Sequence, residues 1–169
     1  MAVTVSQALW FLPFILPICL FVAWSDMKFM RIPNRSVLLL LGMFAIVGLL
    51  ALPLLDYAWR WVHVIAVLAV GFVMSSAGLV GAGDAKFAAA MAPFVALQDA
   101  LLVVVLFSAI LLGAFATHRL ARMLPAVRRL TPDWESWTRK RDFPMGLALS
   151  GTLIFYFLLP VLLPQVTLS

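Results

Sequence analysis

Residues 100–117 read ALLVVVLFSAILLGAFAT, an apolar run without a charged side chain. A helix needs about 20 such residues to cross the hydrocarbon core of a bilayer. The rest of the 169-residue chain has the same character, because 65% of all residues are apolar and only 11% are charged. Soluble domains have about 45 to 50% apolar and about 25% charged residues. The composition therefore excludes an ordinary soluble domain and predicts membrane-spanning helices.

Short polar segments divide the apolar residues into six blocks. We expect membrane spans at about residues 7–24, 36–55, 61–80, 84–97, 100–117 and 143–163. The fourth block is short and crosses the bilayer only if the glycine segment before it also lies in the membrane. The blocks leave no room for a separate soluble domain. Residues 1–169 are therefore predicted to form a single all-α, polytopic membrane domain with six transmembrane helices.

The positive charges predict the orientation of these spans, since Lys and Arg are enriched in cytoplasmic loops. With six spans and the N-terminus outside, eleven of the twelve Lys and Arg residues face the cytoplasm, and Arg60 alone lies outside. A five-span arrangement places at most eight of them inside. The six-span topology is therefore favoured, with both termini on the outer, periplasmic side. It puts Asp26, Asp84 and the loop at residues 118–142 on the cytoplasmic side.

Metal ligands and cysteines are scarce in this chain. The two histidines, His63 and His118, and the single cysteine, Cys19, lie far apart in the sequence. A zinc or iron site needs three or four ligands at close spacing. We therefore expect no disulfide, no metal and no organic cofactor.

Two of the seven acidic residues, Asp26 and Asp84, lie at the predicted cytoplasmic ends of spans. A carboxylate there is costly, which favours a functional role. Two carboxylates held close together share a proton, so that one can activate a water while the other protonates or polarises a scissile carbonyl. That is the chemistry of an aspartic protease. Each residue alone also fits a structural role, because Asp84 could cap the next helix and Asp26 could pair with Lys28 or Arg31.

Glycines precede the second aspartate in the segment Gly81-Ala82-Gly83-Asp84-Ala85-Lys86. We expect Gly81 and Gly83 to adopt positive φ and to let the backbone approach a neighbouring helix or an extended substrate closely. Upstream, Asp26 is followed by a basic stretch and by Ile32-Pro33-Asn34. The last span begins with Pro144-Met145-Gly146.

These motifs, in this order and spacing, resemble those of the type IV prepilin peptidases, the bacterial GxGD aspartic proteases. The resemblance extends from the first span to the last. It implies that Asp26 and Asp84 are the two catalytic aspartates. The residues that it implies for motif support or substrate binding are Gly81, Gly83, Lys86, Pro33, Asn34, Pro144 and Gly146. For Lys86, the position itself favours a contribution to the positive charge of the cytoplasmic side.

The resemblance also implies a substrate. Members of the family cleave the short basic leader of a prepilin or pseudopilin just before the hydrophobic helix of the precursor. The cut is made at the cytoplasmic face of the bacterial inner (plasma) membrane, before pilus assembly or secretion. Longer members carry paired Cys-x-x-Cys motifs linked to N-methylation of the product, and this sequence lacks them. It therefore resembles the short leader peptidases of tight-adherence (Flp) pilus systems, and methyl transfer is not expected.

A non-enzymatic function is the alternative. A small membrane carrier, or a subunit of a secretion apparatus, could use the two aspartates as an ion site or a structural site. In carriers such carboxylates tend to lie near the bilayer midplane, whereas Asp26 and Asp84 are both predicted near one face. That position favours the protease.

Seven of the twelve positive charges lie between His118 and Asp142. We expect them to contact anionic lipid headgroups, with residues 119–130 as an amphipathic segment at the interface and Trp134 and Trp137 as anchors. Nothing in the segment resembles a nucleic-acid-binding module, so no nucleic acid is expected as a partner.

Overall fold

The computed structural model describes residues 1–139 and 142–163, and every regular element among them is helical. The α-helices are α1 (Val5–Phe29), α2 (Asn34–Ala51), α3 (Leu54–Ser76), α4 (Ala82–Met91), α5 (Ala100–Met123), α6 (Pro125–Leu130) and α7 (Met145–Leu162). Short 3-10 turns lie at Ala92–Phe94, Leu97–Asp99 and Glu135–Trp137. Five helical segments, namely α1, α2, α3, α5 with the turn before it, and α7, are long and apolar enough to cross a membrane. The helical elements confirm the predicted all-α fold, and the five long apolar segments fit a polytopic membrane protein.

The fourth predicted span, residues 84–97, is only partly α-helical. Helix α4 has 10 residues, which is about 15 Å of helix against a hydrocarbon core of about 30 Å. It ends at Met91 because Pro93 has no N–H with which to extend the helical hydrogen bonds. The chain continues through two 3-10 turns into α5. The count of six spans and the outer location of both termini stay predictions.

Arg60, on α3, binds the irregular backbone that follows α4. Its side chain is buried, and Nη1 donates hydrogen bonds to the carbonyl oxygens of Pro93 (3.3 Å) and Phe94 (3.0 Å). Irregular backbone at membrane depth needs such internal partners, because the hydrocarbon core contains no water that could replace them. Arg60 therefore stabilises the part of the fourth segment that cannot form an α-helix.

A second buried polar group joins the same segment to α7 and to the N-terminal residues. The Tyr156 hydroxyl accepts a hydrogen bond from the Ala96 N–H (3.3 Å) and donates one to Asp99 Oδ2 (2.8 Å). The Ala2 N–H lies 2.9 Å from each carboxylate oxygen of Asp99 and donates to both. Helix α1 separates this group from Asp26 by about 30 Å. Asp99 and Asp26 therefore lie at opposite ends of the bundle.

The core lies between α1, α2, α4 and α7, and α1 packs most extensively against α7. The ring of Phe11, on α1, contacts Phe44, Phe94 and Phe157, with ring centroids 5.3 to 6.2 Å apart. These contacts join α1 to α2, to the turn after α4 and to α7. Helices α3 and α5 are peripheral, since α3 packs against α4 and α5 packs against α7.

Candidate active site

Asp26 lies in the last turn of α1 and faces the first turn of α7. Its side chain is buried, and the Gly146 N–H donates a hydrogen bond of 2.6 Å to Oδ2. The first N–H groups of a helix have no partner within that helix and carry partial positive charge, so they are suited to hold a carboxylate. The Pro144-Met145-Gly146 motif therefore supports the first aspartate, a contact that the sequence does not predict.

No side chain fits at Gly146 without a shift of its neighbours. A Cβ there would lie 2.9 Å from Asp26 Oδ2 and 3.0 Å from Asp26 Cβ, closer than nonbonded atoms favour. Pro144 is the N-cap residue of α7, and its backbone is extended with φ −69°. Proline is favourable at this position, because its ring fixes φ near this value and it has no backbone N–H that would need a hydrogen bond. The motif thus starts α7 directly against the carboxylate.

Asp84 lies in the first turn of α4, after the N-cap residue Gly81. A Cβ at Gly81 would lie 2.6 Å from Asp84 Oδ2, whereas a Cβ at Gly83 would make ordinary contacts of 3.6 Å or more with Ile32. Neither glycine has the expected positive φ, because φ is −63° at Gly81 and Gly83 lies within the helix. Among the described glycines, Gly78 is the one with positive φ. That expectation is wrong because the glycine segment begins a regular helix, and only Gly81 makes space for the aspartate.

The two aspartates line one cavity of about 670 Å³. Most of the motif residues predicted from the sequence line this cavity too. Its lining includes Asp26, Pro33, Asn34, Gly81, Gly83, Asp84 and Lys86. Pro144 and Gly146 lie outside the lining, although Met145 between them is part of it. The fold therefore brings together three motifs that lie far apart in the sequence.

No basic side chain among the described residues forms an ion pair with Asp26. Within residues 1–139 and 142–163, the ion pairs shorter than 4.0 Å are both formed by Arg139, and neither involves Asp26 or Asp84. Lys28 Nζ instead lies over two aromatic rings, 5.2 and 5.3 Å from their centroids. Asp26 therefore forms no surface ion pair with Lys28 or Arg31, which was the structural alternative for this residue.

Lys86 joins two of the motifs. Its Nζ donates a hydrogen bond of 3.5 Å to Asn34 Oδ1, which connects the start of α4 to the start of α2. Asp84 lies two residues earlier in the first turn of the same helix, where a carboxylate also stabilises the helix start. A structural role of Asp84 in α4 is therefore compatible with a chemical role in the cavity.

Sequence reasoning missed a group of residues that follows α6. Arg139, Asp142 and Phe143 line the same cavity as the two aspartates. Arg139 forms ion pairs with Asp142 at 3.2 Å and with Glu135 at 3.8 Å. The sequence predicts that the basic loop contacts lipid, yet part of it forms a wall of the site. The one local signal was that Asp142 and Phe143 directly precede the Pro144 motif.

Trp137 anchors this wall to α5. Its ring stacks on His118, with centroids 5.1 Å apart and an interplanar angle of 15°, and also on Trp134 at 5.7 Å. Its Nε1 donates a hydrogen bond of 3.0 Å to the Thr131 carbonyl oxygen. Trp137 is only 5% exposed. The expectation that Trp137 anchors the loop in the lipid interface is therefore wrong, because its ring is covered by protein.

The lining of the cavity limits the chemistry that it can perform. Its described residues include carboxylates from two separate helices and no Ser, Cys or His. Among residues 1–139 and 142–163, no group of three or more His, Cys, Asp or Glu side chains is arranged to hold a metal ion. The acid and base groups of the described lining are three carboxylic acids and Lys86, and carboxylic acids can transfer protons to and from a substrate and a water molecule.

The comparisons with known proteins agree with the two aspartate motifs. A model of the type IV leader peptidase family matches residues 13–117. The match includes Asp26, Asp84 and the glycine segment, and it ends before the Pro144 motif. A search of curated proteins and a search of solved structures each found no match.

Proposed function

Because the chain belongs to the type IV leader peptidase family, we propose that it is an aspartic endopeptidase whose catalytic dyad is Asp26 and Asp84. The observation that carries this proposal is the shared cavity. Carboxylates from the end of α1 and the start of α4 line it, and its described lining offers no Ser, Cys or His as an alternative nucleophile or base.

Water is the nucleophile in this mechanism. The water oxygen attacks the scissile carbonyl carbon while one carboxylate takes a proton from this water. The partner carboxylic acid, which is protonated, donates its proton to the carbonyl oxygen. Collapse of the tetrahedral adduct breaks the C–N bond, and the leaving amine takes a proton from the dyad. The hydrogen bond from the Gly146 N–H to Asp26 Oδ2 holds this carboxylate in one orientation, which is what a positioned acid or base requires.

The proposed substrate is the basic leader of a type IV or Flp prepilin, or of a pseudopilin, cut at the cytoplasmic face of the inner membrane. The positive-inside distribution supports this face. The leader is proposed from the family match, because the described lining holds three acidic side chains (Asp26, Asp84 and Asp142) beside three basic ones and does not itself select a basic substrate. Methyl transfer is not part of the proposed activity.

Anionic lipid headgroups are the second proposed partner. Arg119, Arg122 and Arg128 line a separate cavity of about 330 Å³ where α5 meets α6. Guanidinium groups bind phosphate through paired hydrogen bonds, so the arginines at this helix end suit the phosphate of a lipid. No nucleic acid is proposed as a partner.

The experiment compares Asp26→Asn and Asp84→Asn with the wild type in membranes that also contain a co-expressed prepilin. Asn keeps the size of the side chain and removes its acid–base function, so both variants should lose about 10²- to 10⁴-fold in cleavage rate. Asp56→Asn is the matched control, because Asp56 is exposed at the start of α3, outside the cavity. All variants are checked for insertion and abundance.

The outcomes separate the peptidase from its rival. Loss of cleavage in both site variants, with Asp56→Asn unaffected, supports the dyad. Normal cleavage in Asp26→Asn and Asp84→Asn contradicts it. A wild type that cuts no candidate precursor favours the non-enzymatic alternative, in which the two aspartates of a carrier or a secretion-apparatus subunit form an ion site or a structural site.

A further inference from the structure

An apolar groove of about 550 Å³ opens between α3 and α5. Its floor is formed by α4, by the turns after α4 and by α7. Helix α3 packs against α4 and helix α5 packs against α7, whereas α3 and α5 share no packed interface among the described residues. The bundle is therefore open on this side, over part of its membrane depth.

The groove is continuous with the candidate active site. Val80, Asp84 and Met145 line both the groove and the polar cavity that contains the two aspartates. From this end the lining follows α3 from Met74 back to His63, a distance of about 17 Å along the helix. A second apolar groove, between α1 and α2, contains neither Asp26 nor Asp84. The groove between α3 and α5 thus leads from the proposed dyad into the depth of the bilayer.

The walls of the groove suit an α-helix. Ala66, Ala88 and Ala92 are among the small residues that face it. Small residues at membrane helix interfaces let the backbones approach closely. Val70 on α3 and Val104 on α5 line its two sides, and each is 60% exposed. A helix lying between them would cover apolar surface on both peripheral helices.

We propose that this groove binds the transmembrane helix of the precursor that the site cleaves. The inference rests on the proposed function, in which the leader is cut just before an apolar helix. The scissile bond can reach Asp84 only if that helix begins beside the first turn of α4. The apolar surface of the groove starts beside the first turn of α4. The depth at which the precursor helix binds in the groove therefore determines which peptide bond lies next to the dyad.

The test uses cysteine cross-linking. The single native cysteine, Cys19, is buried, and it is replaced in a Cys19→Ala background. The probe is a precursor with a Lys- and Arg-rich leader joined to an apolar helix that carries one cysteine in its first turns. Asp84→Asn keeps the precursor intact, so the cross-link is measured independently of cleavage.

Two matched pairs of positions report the contact. On α5, Val104→Cys lies in the groove and Val105→Cys lies outside its lining, although the two valines are 60% and 59% exposed. On α3, Val70→Cys lies in the groove, and Ile65→Cys is about 140° away around the helix. Ile65 is 69% exposed against 60% for Val70, so neither control position is appreciably less exposed than its partner, and lower exposure cannot explain a lower yield at the controls.

Several-fold more cross-linked precursor at Val70 and Val104 than at Ile65 and Val105 is expected. Equal yields at all four positions, cross-links only at the two control positions, or cross-links between two copies of this chain would overturn the proposal. Wild-type cleavage of the same precursor is measured in parallel. A precursor that is cut but does not cross-link in the groove contradicts the groove, whereas one that cross-links there but is not cut contradicts the peptidase.

Discussion

Replacement of Gly146 by Ala would force α7 and Asp26 apart. The added methyl would lie 2.9 Å from Oδ2, 3.0 Å from Cβ and 3.1 Å from Cγ of Asp26, whereas nonbonded carbon contacts are favourable near about 3.5 to 4.0 Å. The carboxylate must retreat, which lengthens the 2.6 Å hydrogen bond from the Gly146 N–H. A hydrogen bond to a charged group contributes about 1.5 to 3 kcal/mol. Since about 1.4 kcal/mol is a factor of ten in rate, kcat should fall roughly 10- to 100-fold.

The assay is the initial rate of precursor cleavage per mole of purified protein in detergent. Gly113→Ala is the matched control, because it makes the same substitution within α5, where a Cβ would meet no atom within 4 Å. This control should cleave at the wild-type rate, since Ala suits a helix better than Gly. Wild-type kcat in Gly146→Ala would refute the positioning of Asp26 by α7. An equal loss in Gly113→Ala would show general damage to the bundle instead.

Three further predictions test separate parts of the structure. Gly81→Ala places a Cβ 2.6 Å from Asp84 Oδ2 and should reduce the cleavage rate at least about 10-fold. Gly83→Ala places its Cβ no closer than 3.6 Å to a neighbouring atom and should leave the cleavage rate unchanged. Equal cleavage rates in the two variants would show that Asp84 does not depend on Gly81. Trp137→Ala removes the stacking on α5, so limited proteolysis should cut residues 131–139 several times faster, and an unchanged pattern would argue against this anchor. Arg60→Ala leaves two buried backbone carbonyls without a donor and should lower the free energy of unfolding in detergent by about 1 to 3 kcal/mol. Unchanged stability of Arg60→Ala would contradict its role after α4.

Helix α5 shows how far hydropathy predicts this fold. The apolar run at residues 100–117 is recognisable as a span, and the helix continues beyond it to Met123. Its basic last turns remain helical because long side chains such as Arg119 can lie along apolar surface, here over the Phe115 ring at 5.1 Å. Composition alone could not predict this extension, since it reports the apolar content of a segment and not the residue at which the helical hydrogen bonds end.

The fourth segment shows where hydropathy fails. Residues 84–97 are apolar enough to suggest a span, but the α-helix ends at Met91. The irregular turns that follow are stable because Arg60 and Tyr156 supply hydrogen bonds from other helices. Such long-range partners leave no mark in the local sequence.

The two aspartates could be predicted because carboxylates in apolar surroundings are rare and costly. Their supporting contacts could not. The hydrogen bond between Gly146 and Asp26 joins residues 120 positions apart, and it depends on the packing of α1 against α7. Trp137 beside basic residues is typical of an interfacial anchor, but its burial follows from stacking on His118 in another helix.

The central claim is that Asp26 and Asp84 act as one catalytic unit. The most direct measurement compares initial cleavage rates of the wild type, Asp26→Asn, Asp84→Asn and the double variant at equal amounts of inserted protein. The effects of residues that act as a unit are not additive. The account therefore predicts that either single variant loses about 10²- to 10⁴-fold in rate and that the double variant loses no more than the larger single loss. Losses that multiply in the double variant, or wild-type cleavage in either single variant, would contradict the dyad.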